Sequence, residues 1–576
     1  MNKKYSFLSL AIAVAIAGCN SSSTGKSSPE VKIGRYMAGD IHMHSTMTDG
    51  DYTYYQVAQK AFEQFGLDFI ANAGHGGWYW MLDEEGYRLD DNGNRIFLED
   101  APEIGEKPRH DYDYALEVAR DSKTVARDIQ MLDGGAYSIV KKVREMYADE
   151  GQFVINGLEW NVPGVNDHAS IGVINEQDGE IIAEFHRNFD YSVTDHHGNI
   201  WKDPEYKWLA YAGVQFLENN YGQDAYFIIN HPSRRINYKV EDYRSFHNAS
   251  ELVTLGFEGF PGHQKQNFRG GYDNNIHYQM IDGELVDNFD TGRGEVGGKY
   301  DFCETNLPEV NESLYYHAQT YGGADYALAK VGGLWDALLG EGREFWLFSN
   351  ADFHHIRGDF WPGEYQKSHS WVEKESYEGI VAGMRSGNTF VTTGDLITDL
   401  DFTVSSGNKS AYMGETLVAS TDTSSVSVKF QTGQKNHNDD IATLVQLDVI
   451  VGDVTGRVYP GNPTEFNNPN NASTYIAKSF TPESVEWVEG ENGWVTVEFE
   501  LDVEAHQYVR LRGSSNGANV PGYTDQYGNP LVDTLKARFN DGQCISEESG
   551  DLEQWNPEEP WNDLWFYSNP IFIKQA

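Results

Sequence analysis

The sequence predicts two architectures in tandem, an α/β domain over residues 35–395 and an all-β sandwich domain over 396–576. Three observations predict them. Short apolar strands alternate with amphipathic helices through the first part, the pattern of βα units. Histidines and acids stand at the ends of those strands, far apart in sequence. From about residue 396 helix periodicity nearly vanishes, and short alternating strands follow one another between turns.

The first strand runs into Ala38-Gly39-Asp40-Ile41-His42-Met43-His44. Side chains at i and i+2 of a strand share a face, so His42 and His44 can grip one ion. Asp49 follows in a turn closed by Gly50 and offers a carboxylate from across the bend. Residues 52–64 read as an amphipathic helix with Val57, Ala61, Phe62 and Phe65 on one face, ended by Gly66. Residues 67–71 form an apolar strand that delivers Gly74-His75-Gly76-Gly77, where glycine lets backbone approach a ligand.

Residues 78–133 break the rhythm with Trp78, Trp80, many acids and turn dipeptides, and read as an insertion lying over the site. Helix returns at 136–147. A strand over 153–160 carries Glu159 at its end, and another begins at His168. Residues 178–203 read as a second irregular insertion, with His196 and His197 in a surface loop. Helix 205–220 precedes a strand ending in Asn230-His231-Pro232, and the strand over 252–260 carries Glu258 and leads to His263. A polar excursion over 264–305 and a helical region over 311–339 follow. The strand over 344–350 then delivers Asp352 and His354, and a strand near 370–372 and a helix over 375–386 close the unit. The second domain offers strands at 426–430, 447–451, 495–499, 508–512 and 570–573.

In a barrel of alternating strands and helices, the strand ends converge on one mouth. His42, His44, His75, Glu159, His168, His231, Asp352 and His354 can therefore share a pocket despite their spacing. Imidazole and carboxylate are ligands for zinc, manganese and iron. Beyond Cys19 the only cysteines are Cys303 and Cys544, and no C-x-x-C is present, which excludes thiolate zinc sites. One disulfide between them and two free thiols both stay open. Arg234 and Arg357 each stand three residues past a strand-end histidine, placed either for a phosphate oxygen or for a surface salt bridge. His263 and Glu258 are candidate proton carriers or substrate contacts, or supports behind the ligands.

Lysine and arginine total 43 against 88 acids, a formal net charge of −45. With no basic patch, nucleic acid is excluded as a partner. The acids are spread along the chain and read as solvated surface. Lys3 and Lys4 precede an apolar run over 7–17, the form of a secretory signal over residues 1–18. That run is too short to span a bilayer. Ile16-Ala17-Gly18-Cys19 resembles a bacterial lipobox, which implies lipid attachment at Cys19, a polar tether over 19–34, and an outer-membrane anchor on the periplasmic or surface face.

The order H-x-H-S-x-x-T-D-G, a strand-end His, G-x-E, His, N-H-P and S-N-A-D-x-H resembles the PHP (polymerase and histidinol phosphatase) family of metal-dependent hydrolases. The resemblance covers about residues 35–395. The segment from Arg385 to Gly394 and the appended β-domain, with Tyr567-Ser568-Asn569-Pro570-Ile571, resemble the carbaryl-hydrolase-like branch. It implies a distorted seven-stranded β/α (TIM-like) barrel and two or three divalent metal ions, zinc, manganese or iron. It further implies that His42, His44 and Asp352 hold the first metal and that Glu159 bridges to a second on His168 and His231. Asp49, His75 and His354 would hold the third. The family's Asp before the motif-two histidine is Gly74 here, which weakens the expected third site.

The implied chemistry is attack by a metal-bridging hydroxide, with ions about 3.5–4 Å apart lowering the pKa of the water toward about 7. That suits a phosphoesterase acting on small or oligomeric phosphomono- or phosphodiesters, with Asp352, His263, Arg234 and Arg357 as catalytic groups. Hydrolysis of carboxyl ester, carbamate or amide bonds is the alternative, and a non-catalytic envelope or glycan-binding lipoprotein the third reading.

Overall fold

The computed structural model describes residues 33–76, 136–194, 200–235, 237–266, 269–272, 278–281, 284–287, 320–503, 505–533, 539–540, 543–544 and 559–576, with isolated positions between 82 and 95. The signal and tether over 1–32 with Cys19, almost all of the insertion over 78–133, His196 and His197, much of 264–305, and Cys303 lie outside the described residues. Residues 33–576 form one compact unit.

Nine strands of the first part matter for the site. They are β1 (Arg35–Asp40), β2 (Phe69–Asn72), β3 (Phe153–Val162), β4 (Asp167–Val173), β5 (Ala225–Ile229), β6 (Thr254–Phe260), β7 (Trp346–Ser349), β8 (Gln366–Val372) and β9 (Thr389–Thr393). Their order in the sheet is β7-β6-β5-β4-β3-β2-β1-β8-β9. β1, β2 and β3 pair in parallel, as do β5, β6 and β7, while β4 runs antiparallel between β3 and β5. This reversal explains why His168 stands at the start of its strand. Residue pairing of Asn161 with His168 puts the start of β4 beside the end of β3.

The distorted TIM-like barrel that the resemblance implies is met in part, as an arc of mixed strands. Among the described residues no ladder joins β7 to β1, so the seven-stranded arc is not closed as a sheet. The strands stop at Asp40 and Ser349, and their continuations meet instead. His44 N–H donates to the Phe353 carbonyl at 2.8 Å, and Asp352 N–H to the His42 carbonyl at 2.8 Å. Side chains complete the seam. Asn350 Oδ1 accepts from Ile41 N–H at 2.9 Å, and the Asp40 carboxylate accepts from Ala351 N–H at 2.8 Å.

Strands of the arc are apolar because both faces are covered. Tyr226, Phe227, Ile228 and Ile229 of β5 are fully buried. The helix Tyr54–Gln59 is capped by Thr53 with Gln56, continues as a wider turn over Lys60–Gln64, and buries Val57, Ala58, Ala61 and Phe62. The stretch 178–203 is not irregular as expected. It contains the helix Asp178–Phe189, which buries Ile181, Ile182, Ala183 and Phe185 at helical spacing. The helix Val240–Ala249 was not anticipated. Its charged residues hide the burial of Val240, Tyr243 and Phe246.

Past β9 the same sheet continues through Trp565–Ser568, Gln507–Ser514, Gln446–Asp453 and Tyr475–Phe480. A second sheet of five strands faces it, with Asp399–Ser406, Thr423–Gln431 and Trp494–Asp502 at its centre. Alternate residues such as Phe402, Val428 and Val497 meet Val449, Leu511 and Phe566 in a common core. No described helix is long and apolar enough to cross a membrane.

Candidate metal centre

Each ligand candidate but Asp49, which lies in the turn after His44, is delivered by an end of a strand in the arc or by the chain just beyond it. His42 and His44 extend β1 with Met43 between them on the core side, and their Nε2 atoms lie 3.2 Å apart. His75, after β2, forms a single parallel bridge with Glu159 of β3. His231 follows β5, His263 follows β6 and Asp352 follows β7. All three adopt left-handed backbone, with φ of 27°, 58° and 45°. Such a conformation costs a non-glycine residue about 1–3 kcal/mol and persists where surrounding structure enforces it. Gly262 allows one such turn, since a Cβ there would stand 2.1 Å from the Ala351 carbonyl oxygen and 2.3 Å from the Asp352 Cβ.

The side chains converge. His42 Nε2 lies 3.0 Å from Asp352 Oδ1 and 3.2 Å from Glu159 Oε1. His44 Nε2 lies 3.1 Å from the same Asp352 oxygen and 3.2 Å from Glu159 Oε2. Glu159 also meets His168 at 2.9 Å, His75 at 2.9 Å and His231 at 3.2 Å. Asp49 Oδ2 stands 3.4 Å from both His75 Nε2 and His354 Nε2, and Asp49 Oδ1 stands 3.1 Å from His44 Nδ1. Ligand atoms of His42, His44, Glu159 and Asp352 lie within 4.8 Å of one another, as do those of His44, Asp49, His75 and His354. The sets His75–Glu159–His168 and Asp167–His168–His231 satisfy the same limit.

These residues fit divalent ions. His44 Nδ1, Glu159 Oε2, His168 Nδ1, His231 Nδ1 and Asp352 Oδ1 are buried and satisfy no hydrogen-bond geometry, although each faces another ligand atom. In folded proteins buried polar atoms are generally paired, because leaving them bare is costly. Nitrogen and oxygen lone pairs directed at a common centre, with no thiolate, suit zinc, manganese or iron.

Burial opposes charge on Glu159, but the imidazoles of His168, His75 and His42 outweigh it and hold its carboxyl well below the ordinary range. Asp352 is likewise held low against burial, by His42 and His263. On His42 burial is overcome by Asp352, Glu258 and Glu159, and its pKa stands well above the ordinary imidazole value. His44 is raised against burial by Asp49, Asp352 and Glu159. Burial wins at His168, which falls to about 3 despite Glu159. At His231 burial and Arg234 act together and hold it well below the ordinary imidazole value.

All nine expected ligands therefore meet in one cluster. Arg234 joins them, 3.2 Å from Asp352 Oδ2 and 2.8 Å from His231 Nε2. His263 Nε2 lies 3.0 Å from Asp352 Oδ2, while its Nδ1 lies 2.6 Å from Asp359. Arg357 does not join them. Its side chain is 61% exposed and its guanidinium stands 3.6 Å from Asp51, the surface salt bridge that was its alternative. Gly76 makes room for a carboxylate rather than a ligand, since a Cβ there would stand 2.3 Å from Asp190 Oδ2, and Gly77 lies outside the described residues. Gly74, where the resembled family has Asp, packs on Thr48, with 2.8 Å from a built Cβ to the Thr48 methyl.

Sequence reasoning missed Asp167, Asp359, Asp40 and Asn350. Asp167 precedes His168 and is fully buried, 3.5 Å from His231 Nδ1. Asp359 accepts from the backbone N–H groups of His354 and His355. A carboxylate next to, or five residues after, a strand-end histidine was the available signal in both cases.

No protein-family model matches the chain, and no curated protein matches it in sequence. Among solved structures, the chain is similar to the crystal structure of a two-domain protein containing a predicted PHP-like metal-dependent phosphoesterase from Bacteroides vulgatus. The identity is 10% and the TM-score 0.33, over 89% of this chain and 99% of that one.

Proposed function

We propose that this protein is a metal-dependent hydrolase that cleaves phosphoesters. The observation that carries the reading is the buried convergence of His42, His44, Glu159 and Asp352 with Arg234 alongside. In this reading residues 35–395 are a PHP-type barrel, distorted where β1 and β7 meet, and 396–576 a β-sandwich domain that continues the same sheet past β9. The lipobox-like segment supports export and lipid anchoring at Cys19, on the outer membrane.

His42, His44 and Asp352 would hold one metal, Glu159, His168 and His231 a second, and Asp49, His75 and His354 a third. When bound, such ions supply Lewis acidity and lower the pKa of water. The chain's own groups do the rest. Arg234 presents a fixed guanidinium to a phosphoryl oxygen, a planar donor pair that matches phosphate geometry. His263, at the rim, holds or moves a proton at Nε2, with Nδ1 oriented by Asp359. Burial of the cluster excludes bulk water and strengthens each of these interactions.

The test is turnover of p-nitrophenyl phosphate, bis-p-nitrophenyl phosphate and a set of carboxyl and carbamate esters, with manganese or zinc added. Metal-dependent cleavage of a phosphate ester is expected. Cleavage confined to the carboxyl or carbamate esters would overturn the phosphoester assignment and keep the hydrolase. No turnover of any ester, with metal bound, would leave only a binding role.

A further inference from the structure

We infer that Glu258 is a positioning residue that fixes which nitrogen His42 presents to a metal, and that Asn350 holds Glu258 in place. The inference rests on the metal-centre reading above and concerns residues behind the ligands.

Glu258 lies within β6 rather than at its end, and it is fully buried. Each of its oxygens faces donors. Oε1 accepts from His42 Nδ1 at 2.7 Å and from Asn350 Nδ2 at 3.0 Å. Oε2 accepts from the backbone N–H of His231 at 2.8 Å. A carboxylate accepts only, so when the His42 ring is neutral, as metal ligation requires, its proton sits at Nδ1 and Nε2 is left bare. Nε2 is the atom that faces Asp352 and Glu159 at 3.0 and 3.2 Å.

Asn350 cannot turn over to disturb this. Its Oδ1 is committed to Ile41 N–H at 2.9 Å, which leaves its amide N–H₂ for Glu258. The same carboxylate also steers a second ligand, because its bond to His231 N–H holds the backbone of that residue in its left-handed turn. One buried side chain thus sets the ring orientation of His42 and the backbone of His231. Outer partners of this kind typically govern metal affinity by about 10–100-fold.

Glu258→Gln is the decisive variant. Three donors face the group, and an amide has only one acceptor end. Turned one way, its N–H₂ opposes His231 N–H. Turned the other way, it opposes the Asn350 amide and forces the His42 proton onto Nε2, the ligand nitrogen.

The experiment measures zinc affinity by competition with a chromophoric chelator, and the melting temperature of the metal-free protein, for wild type and E258Q. Affinity about 10–100-fold weaker in E258Q is expected. An affinity within about three-fold of wild type, whatever the metal-free melting temperature does, would overturn the inference, because a purely structural role lowers stability alone. Nitrogen-15 spectra of histidine-labelled, zinc-loaded wild type need no variant and decide the matter should E258Q not fold. A protonated Nδ1 on His42 is expected, and a bare Nδ1 overturns the inference. Wild-type protein that takes up no zinc and no manganese would defeat the metal-centre reading itself, and this inference with it. Zinc uptake by wild type with unchanged affinity in E258Q would defeat only the role of Glu258.

Discussion

Asp352 and His42 are tied twice. The Asp352 amide donates to the His42 carbonyl at 2.8 Å, and the Asp352 carboxylate lies 3.0 Å from His42 Nε2. Backbone and side chain thus set the same distance from both ends. The Asp352→Asn substitution keeps the shape and removes the charge. It should cut metal-dependent turnover by at least about 100-fold, more than the loss of an outer partner, and lower the metal content. Steady-state kinetics together with elemental analysis of the purified variant check this, and full activity with full metal content would sink the assigned role.

Arg234 separates phosphate chemistry from other ester chemistry. Arg234→Met should lower kcat on phosphoesters by about 100–1,000-fold, the usual cost of removing a preorganised donor to developing charge. Any activity on uncharged carboxyl esters should change far less. Equal losses on both substrate classes would assign Arg234 to the fold.

Protonation of the metal-free cluster sets a pH dependence. His42 and His44 have raised pKa values, so both carry protons at pH 7 without metal. Ligation needs the neutral ring, so metal uptake at pH 7 should expel about two protons. Affinity should fall as the pH drops and keep rising above pH 7 while these groups still hold protons. Calorimetric titrations in buffers of different ionisation enthalpy count the protons directly, and a count of zero would contradict the electrostatics.

The Ala substitution at Gly262 probes the turn beneath Asp352. A methyl group there stands 2.3 Å from the Asp352 Cβ, so the carboxylate must shift. Overpacking of this kind costs about 1–3 kcal/mol of stability. A misplacement near 1 Å can cost about 100-fold in rate. Gly262→Ala protein that folds with unchanged kinetics would show that the close approach is incidental.

Arg510 and Asp336 form a buried two-pronged pair, with both bonds at 2.8 Å, between the helix Leu334–Gly340 and the strand Gln507–Ser514. Asp336 also accepts from Tyr508 at 2.9 Å. Asp336→Ala strands the guanidinium and should destabilise the protein by about 3–5 kcal/mol. Thermal or denaturant unfolding measures this, and a change under about 1 kcal/mol would mean that the charge finds another partner or water.

Much of the site was legible because strand-end histidines are rare unless something holds them. His42, His44, His75, Glu159, His168, His231 and His354 each follow or begin an apolar run, and the structure gathers all of them. Their supports were legible only in part. The sequence leaves Glu258 open between proton carrier, substrate contact and support behind the ligands, and only the three-dimensional arrangement shows three donors around it. Arg357 resembled Arg234 in spacing, but spacing does not say which side of a turn faces the cluster. Within the fold, strands of β5 type read clearly from composition. The helix Asp178–Phe189 was hidden by its three acidic and two basic side chains, although Ile181, Ile182 and Phe185 keep the helical period. The open seam was invisible, because a single backbone bridge with side-chain bonds, rather than a ladder, joins its edges.

That seam has a kinetic meaning. The Ile41–Asn350 bond joins positions 309 residues apart, so the pocket assembles only after about three fifths of the chain has been made and placed. Contacts so distant in sequence close late, after local units have formed. A nascent chain that ends before residue 350 has His42, His44, His75, His168 and His231 but neither Asp352 nor His354, and so cannot capture metal in the arrangement described here.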